Sequence, residues 1–84
     1  MNREIMNLSN IEINKMIQNT FSSEMKRAVV RCRIIDGLTY DEIVNRYYKG
    51  EFISDRTKKE IVVTKIQPLI EKLYKVLNDD IEGR

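Results

Sequence analysis

The side chains best suited to chemistry crowd into one short run, where Ser54, Arg56, Thr57, Lys58 and Lys59 follow Ile53 and flank Asp55. Ser54 is a residue type that caps a helix, Asp55 suits the first turn behind it, and Ile53 is an apolar anchor just ahead. The cations therefore stand at the start of a helix, where long basic side chains reach outward and backbone amides face an anion. What such a group can do is bind: a guanidinium meets paired acceptors and an ammonium meets phosphate, with Ser54 capping the helix that carries them. Arg46, Lys49 and Lys65 are the further cations expected to reach phosphate.

Covalent chemistry finds little support in the same sequence. There is no histidine, so the commonest general base is missing, and no nucleophile stands beside a base or in a Gly-rich phosphate loop. The single cysteine, Cys32, has no partner for an internal disulfide, and one cysteine without histidine makes no zinc set. The chain reads as a non-enzyme that needs no metal or cofactor. The carboxylate pairs Asp41–Glu42 and Asp79–Asp80 are explained by helix capping and by a solvated tail. No apolar run approaches a membrane span and the first ten residues lack the core of a signal peptide, so no membrane partner and a reduced, cytoplasmic setting are expected.

The elements that must hold the basic run are helical. With 84 residues and 42% hydrophobic content, the chain has room for one domain. Ser9-x-x-Glu12 is a capping box followed by Ile13, Met16 and Ile17, which predicts a first helix over residues 9–20. Ser22 or Ser23 starts the next, with Met25, Ala28, Val29, Cys32 and Ile35 as its apolar row and Gly37 as its stop. Thr39-x-x-Glu42 is a second capping box, and Tyr40, Ile43, Val44 and Tyr47 give a short helix one buried face. The stretch Tyr47 to Ile53 is read as a turn, with a small β wing as the alternative. A helix beginning at Ser54 runs at least to Ile66, and Pro68 predicts a kink or break between Thr64 and Pro68. A C-terminal helix over residues 67–78 and a polar tail over 79–84 complete an all-α domain of four to five helices, whose core spans residues 22–66.

Positive charge is uneven along the chain. Residues 1–25 carry two basic and three acidic side chains, residues 26–65 ten and six, and residues 66–84 three and four. The excess thus falls on the central helices, where a DNA-binding surface needs it to replace phosphate counterions. The row Lys26, Arg27, Arg31 and Arg33 reads equally well as a solvated helix face.

The segment RCRIIDGLTYDEIVNRYY followed by ISDRT resembles the helix-turn-helix of sigma factor region 4, and more closely small phage-encoded transcriptional regulators of the late-gene activator type. Gly37, Leu38, Thr39, Tyr40, Glu42 and Ile43 match the supporting helix of that pattern, and Ile53, Ser54, Arg56 and Thr57 match the start of its recognition helix. The resemblance covers residues 26–66. It implies a sequence-specific binder of double-stranded DNA encoded by a phage or mobile element, with Ser54 and Thr57 positioning the backbone. Arg56, Lys58 and Lys59 then face bases or phosphates, Arg56 being the first choice for base reading. Two departures stand out: the turn YYKGEF is longer than the family's, and Lys58 occupies a position where the family carries an apolar residue. If Lys58 faces solvent, the packing falls to Ile61 and Val62. The alternative function is a protein-binding modulator of a host protein, such as RNA polymerase or a defence enzyme, built on the same fold.

The last helix carries a stripe, Ile66, Leu69, Ile70, Leu73, Val76 and Leu77, that is wide for so small a body. The expectation is that the surplus forms a homodimer or a partner interface.

Overall fold

The computed structural model describes residues 9–82, and all of its regular elements in that range are helices. Helix α1 (Asn10–Thr20) opens on the first capping box, with Ser9 Oγ accepting from the Glu12 amide at 3.2 Å. Helix α2 (Glu24–Ile34) is capped by Ser23 and ends ahead of Gly37, whose φ of 71° lets the chain turn back while Leu38 N–H donates to the Cys32 carbonyl at 2.9 Å. Helix α3 (Tyr40–Tyr47) opens on the second capping box, between Thr39 and Glu42. In place of a β wing, the longer turn forms a single 3-10 turn, Gly50–Phe52. Helix α4 (Asp55–Ile61) follows its Ser54 cap and passes without interruption through a π-helical segment, Val62–Ile66, into α5 (Gln67–Glu82).

Where a kink or break is expected between Thr64 and Pro68, the helix continues and a π segment accommodates the proline. A proline has no N–H to donate and its ring crowds the carbonyl four residues back. Widening the turn ahead of it shifts the bonding register, so that Gln67 N–H donates to Val62, five residues away, and the ladder resumes beyond the ring. The expected tail is also shorter than read, because the backbone stays helical through Glu82, and no glycine or proline intervenes between Asn78 and Glu82.

One core serves the described residues. Ile13, Ile17 and Phe21 meet Val29, Val30 and Cys32, then Ile43 and Val44, and the cluster is closed by Ile66, Ile70, Leu73 and Leu77. Helix α5 packs against both α1 and α2, which is why its apolar stripe is wide. Ile66, Ile70, Leu73 and Leu77 are buried within the chain itself, while Leu69 and Val76 lie half-buried at the edge of the stripe. Helix α2 buries Val29 and Cys32 of its expected row, but Met25 is 43% exposed, and Val30, outside that row, is fully buried. Each fully buried aliphatic side chain contributes roughly 1.5–3 kcal/mol.

Candidate nucleic-acid interface

Helix α3 is the base on which α4 rests. Its capping box fixes where it starts, Ile43 and Val44 bury its lower face, and its exposed side carries Asp41 toward α4. There Lys58 Nζ meets Asp41 Oδ1 at 3.3 Å, with Lys58 only 19% exposed and Asp41 65%. Lys58 thus turns inward, its stem against the body and its ammonium on α3. This answers the question its position raised: the side chain takes the inward place expected of an apolar residue, and Ile61 and Val62 pack beside it against the core. It is a brace between two helices and does not join Arg56 and Lys59 on the outer face. So exposed an ion pair adds at most about 1 kcal/mol.

Ser54 and Thr57 form a closed local unit. The Thr57 amide donates to Ser54 Oγ at 3.2 Å and the two hydroxyls lie 3.0 Å apart. Both side chains are therefore committed to starting α4. Arg56 and Lys59 are exposed, and no residue of α4 is buried. Glu51, Asp55 and Glu60 are exposed nearby, so this end of the molecule carries mixed charge.

Of the three further cations, Arg46 and Lys65 are not gathered at that end. Lys49 is exposed on the turn, in the left-handed region with φ 53° and ψ 48°. Arg46 extends from α3 over the opposite side, with Nη1 3.8 Å from Cys32 Sγ. Lys65 lies in the π segment, its Nζ 6.0 Å from the centre of the Tyr48 ring. It borders a groove of about 480 Å³ whose walls include Met25, Lys26, Tyr48, Pro68 and Leu69.

Two of the basic residues on α2 serve the fold. Arg27 Nε donates to the Phe21 carbonyl at 2.6 Å and its Nη2 to the Gln18 carbonyl at 3.2 Å, which ties off the end of α1. Arg33 donates to the Leu38 carbonyl at 3.0 Å and stacks over the Tyr40 ring at 4.4 Å, holding the turn that leads into α3. The free carbonyls at the end of α1, six and nine residues before Arg27, are the signal that identifies such an arginine, but only once the chain direction after Thr20 is known.

Cys32 is buried, as its place in the apolar row implied, and its Sγ lies 3.4 Å from the Tyr47 hydroxyl. That contact, and then burial, push the Tyr47 phenol above its ordinary value; burial alone does the same for Tyr48. Both aromatic rings pack on the core, which leaves neither as a free base-stacking platform. A residue that the pattern reading passed over, Phe52, does stand free: it is 81% exposed, two positions ahead of Ser54.

Among the described residues no group of acidic, cysteine or histidine side chains is arranged to hold a metal ion, and no helix is long and apolar enough to cross a membrane. No protein-family model, curated protein or solved structure matches the chain.

Proposed function

We propose that this chain is a sequence-specific, DNA-binding regulator of transcription, of the kind phages and mobile elements encode, acting in the cytoplasm through the helix that starts at Ser54. The observation that carries this reading is the display of Arg56 and Lys59 at the capped start of a helix that buries none of its first seven residues, although its continuation forms the core. An amphipathic helix held only for stability has no need of such an unburied segment. Arg56 is suited to guanine, whose two acceptors match a guanidinium, and Lys59 to phosphate.

Salt titrations on two duplexes test this, one selected from a randomised pool and one of random sequence. Arg56→Ala is expected to cost roughly 1–3 kcal/mol on the selected duplex and much less on the random one. Lys59→Ala weakens both alike and lowers the log–log salt slope by about one. Equal losses for Arg56→Ala on the two duplexes would remove base reading. Affinity weaker than about 1 mM for every duplex at low salt would remove DNA binding altogether, since even non-specific binders do better.

The second reading, a modulator that docks on a host protein such as RNA polymerase, is favoured by the groove between α2 and the π segment. Its apolar floor and flanking lysines, Lys26 and Lys65, are complementary to an apolar side chain with acidic neighbours.

A further inference from the structure

Six aromatic residues occur in this chain, and five of them are spent on the core: Phe21 is buried, and Tyr40, Tyr47, Tyr48 and Tyr74 pack against it. Phe52 alone points away. Its exposure is not that of a loose loop, because the turn beneath it is closely specified. Lys49 adopts a left-handed backbone that L-residues seldom enter, and Gly50 is buried so tightly that a Cβ there would stand 2.9 Å from Val44 Cγ1 and overlap Asn45 Oδ1. Phe52 N–H donates to the Lys49 carbonyl at 3.0 Å and Ile53 N–H to the Gly50 carbonyl at 3.3 Å, and Ile53 then packs against the core. The chain is pinned on both sides of Phe52, and the large apolar ring is what the pinned turn presents.

We propose that Phe52 is a base-reading residue whose ring makes the apolar contact to the 5-methyl group of a thymine in the major groove. The inference rests on the DNA-binding reading of the same surface and extends it. Phe52 lies two residues before the Ser54 cap, so the turn brings it to the same end of α4 as exposed Arg56, with exposed Lys49 and Lys59 on either side in sequence. Glu51 and Asp55, also exposed, flank it closely, and carboxylates so placed repel phosphate. The tip of the turn therefore suits the floor of the groove better than the backbone. There the one apolar feature that any base pair offers is the thymine methyl, for which phenylalanine is a known partner type. The longer turn between α3 and α4 thus supplies a second reading element beside Arg56.

The test takes the duplex that the full chain selects from a randomised pool and replaces each thymine in turn by deoxyuridine, which removes only the methyl. The wild-type chain loses about fourfold in affinity at one position, the worth of one buried methyl group. Phe52→Ala loses a similar factor on the thymine duplex and is indifferent to deoxyuridine there, Phe52→Leu keeps part of the discrimination, and Arg56→Ala keeps all of it. Circular dichroism shows the Phe52 variants folded, as an exposed side chain requires. If Phe52→Ala still separates thymine from deoxyuridine as the wild type does, while Arg56→Ala loses sequence preference, the Phe52 assignment falls and the DNA reading stands. If the wild type selects no duplex at low salt, both fall, and Phe52 is then an anchor for a protein partner.

Discussion

The two halves of the long C-terminal helix make opposite use of the same backbone. From Gln67 onward α5 turns Ile70, Leu73 and Leu77 into the body and covers both α1 and α2, whereas α4, a few residues earlier, has no fully buried residue and holds its cations outward apart from Lys58. One half is needed for the chain to fold; the other is displayed by it. Substitutions in the two halves should therefore separate cleanly, stability responding to one and binding to the other.

The strongest test of that separation is Leu73→Ala. It empties a fully buried site in the middle of the core and is expected to cost 2–5 kcal/mol, seen as a lower midpoint in denaturant unfolding. Unchanged stability together with altered sedimentation would reverse the assignment and return the stripe to an intermolecular role. Gly50→Ala probes the turn that joins the displayed half to α3. The added methyl meets Val44 and the Asn45 side chain, and a loss of about 1–3 kcal/mol is expected, with Ser in place of Gly no better. Lys58→Met sharpens the comparison within α4 itself. The brace to Asp41 is lost while the stem's packing is kept, so stability changes by less than about 1 kcal/mol and DNA affinity falls far less than for Arg56→Ala. The smallest effect belongs to the tyrosines. Because Tyr47 and Tyr48 are held above their ordinary value of 10.0 in the folded chain, the folded state keeps protons that the unfolded chain releases. Stability is accordingly full below pH 10 and declines as pH rises past it, a decline that Tyr48→Phe reduces in alkaline unfolding followed by circular dichroism.

Features encoded by neighbouring residues were legible in the sequence. The caps at Ser9, Ser23, Thr39 and Ser54 and the stop at Gly37 each depend on a side chain or a backbone freedom within a few positions, and the structure has all five. What depends on distant neighbours was not. The periodicity of α2 puts Met25 in its apolar row and leaves Val30 out, and only the packing of α1 and α5 against it buries Val30. The stripe on α5 looked excessive because a sequence does not say how many helices one helix must cover. Lys58, Arg27 and Arg33 were read as surface charges, since an ion pair to Asp41, a carbonyl at Phe21 or a ring at Tyr40 is visible only once the chain has turned back. Phe52 belonged to no apolar row, and in a turn that is the one clue to an outward aromatic.

The π segment has a geometric consequence of its own. Each residue of an α-helix advances the azimuth by about 100°, so one residue more than the α-helical count, absorbed in a single widened turn, offsets everything before it from everything after it by about that angle. Counting back from Leu73 by helical periodicity therefore misplaces the compass bearing of Arg56. The direction in which the displayed end faces is set by the number of residues between Val62 and Ile66, not by which residues they are. An insertion or deletion there re-aims the shaft, and so does relief of the proline that widens the turn, which makes this one place the joint that orients α4 relative to the body.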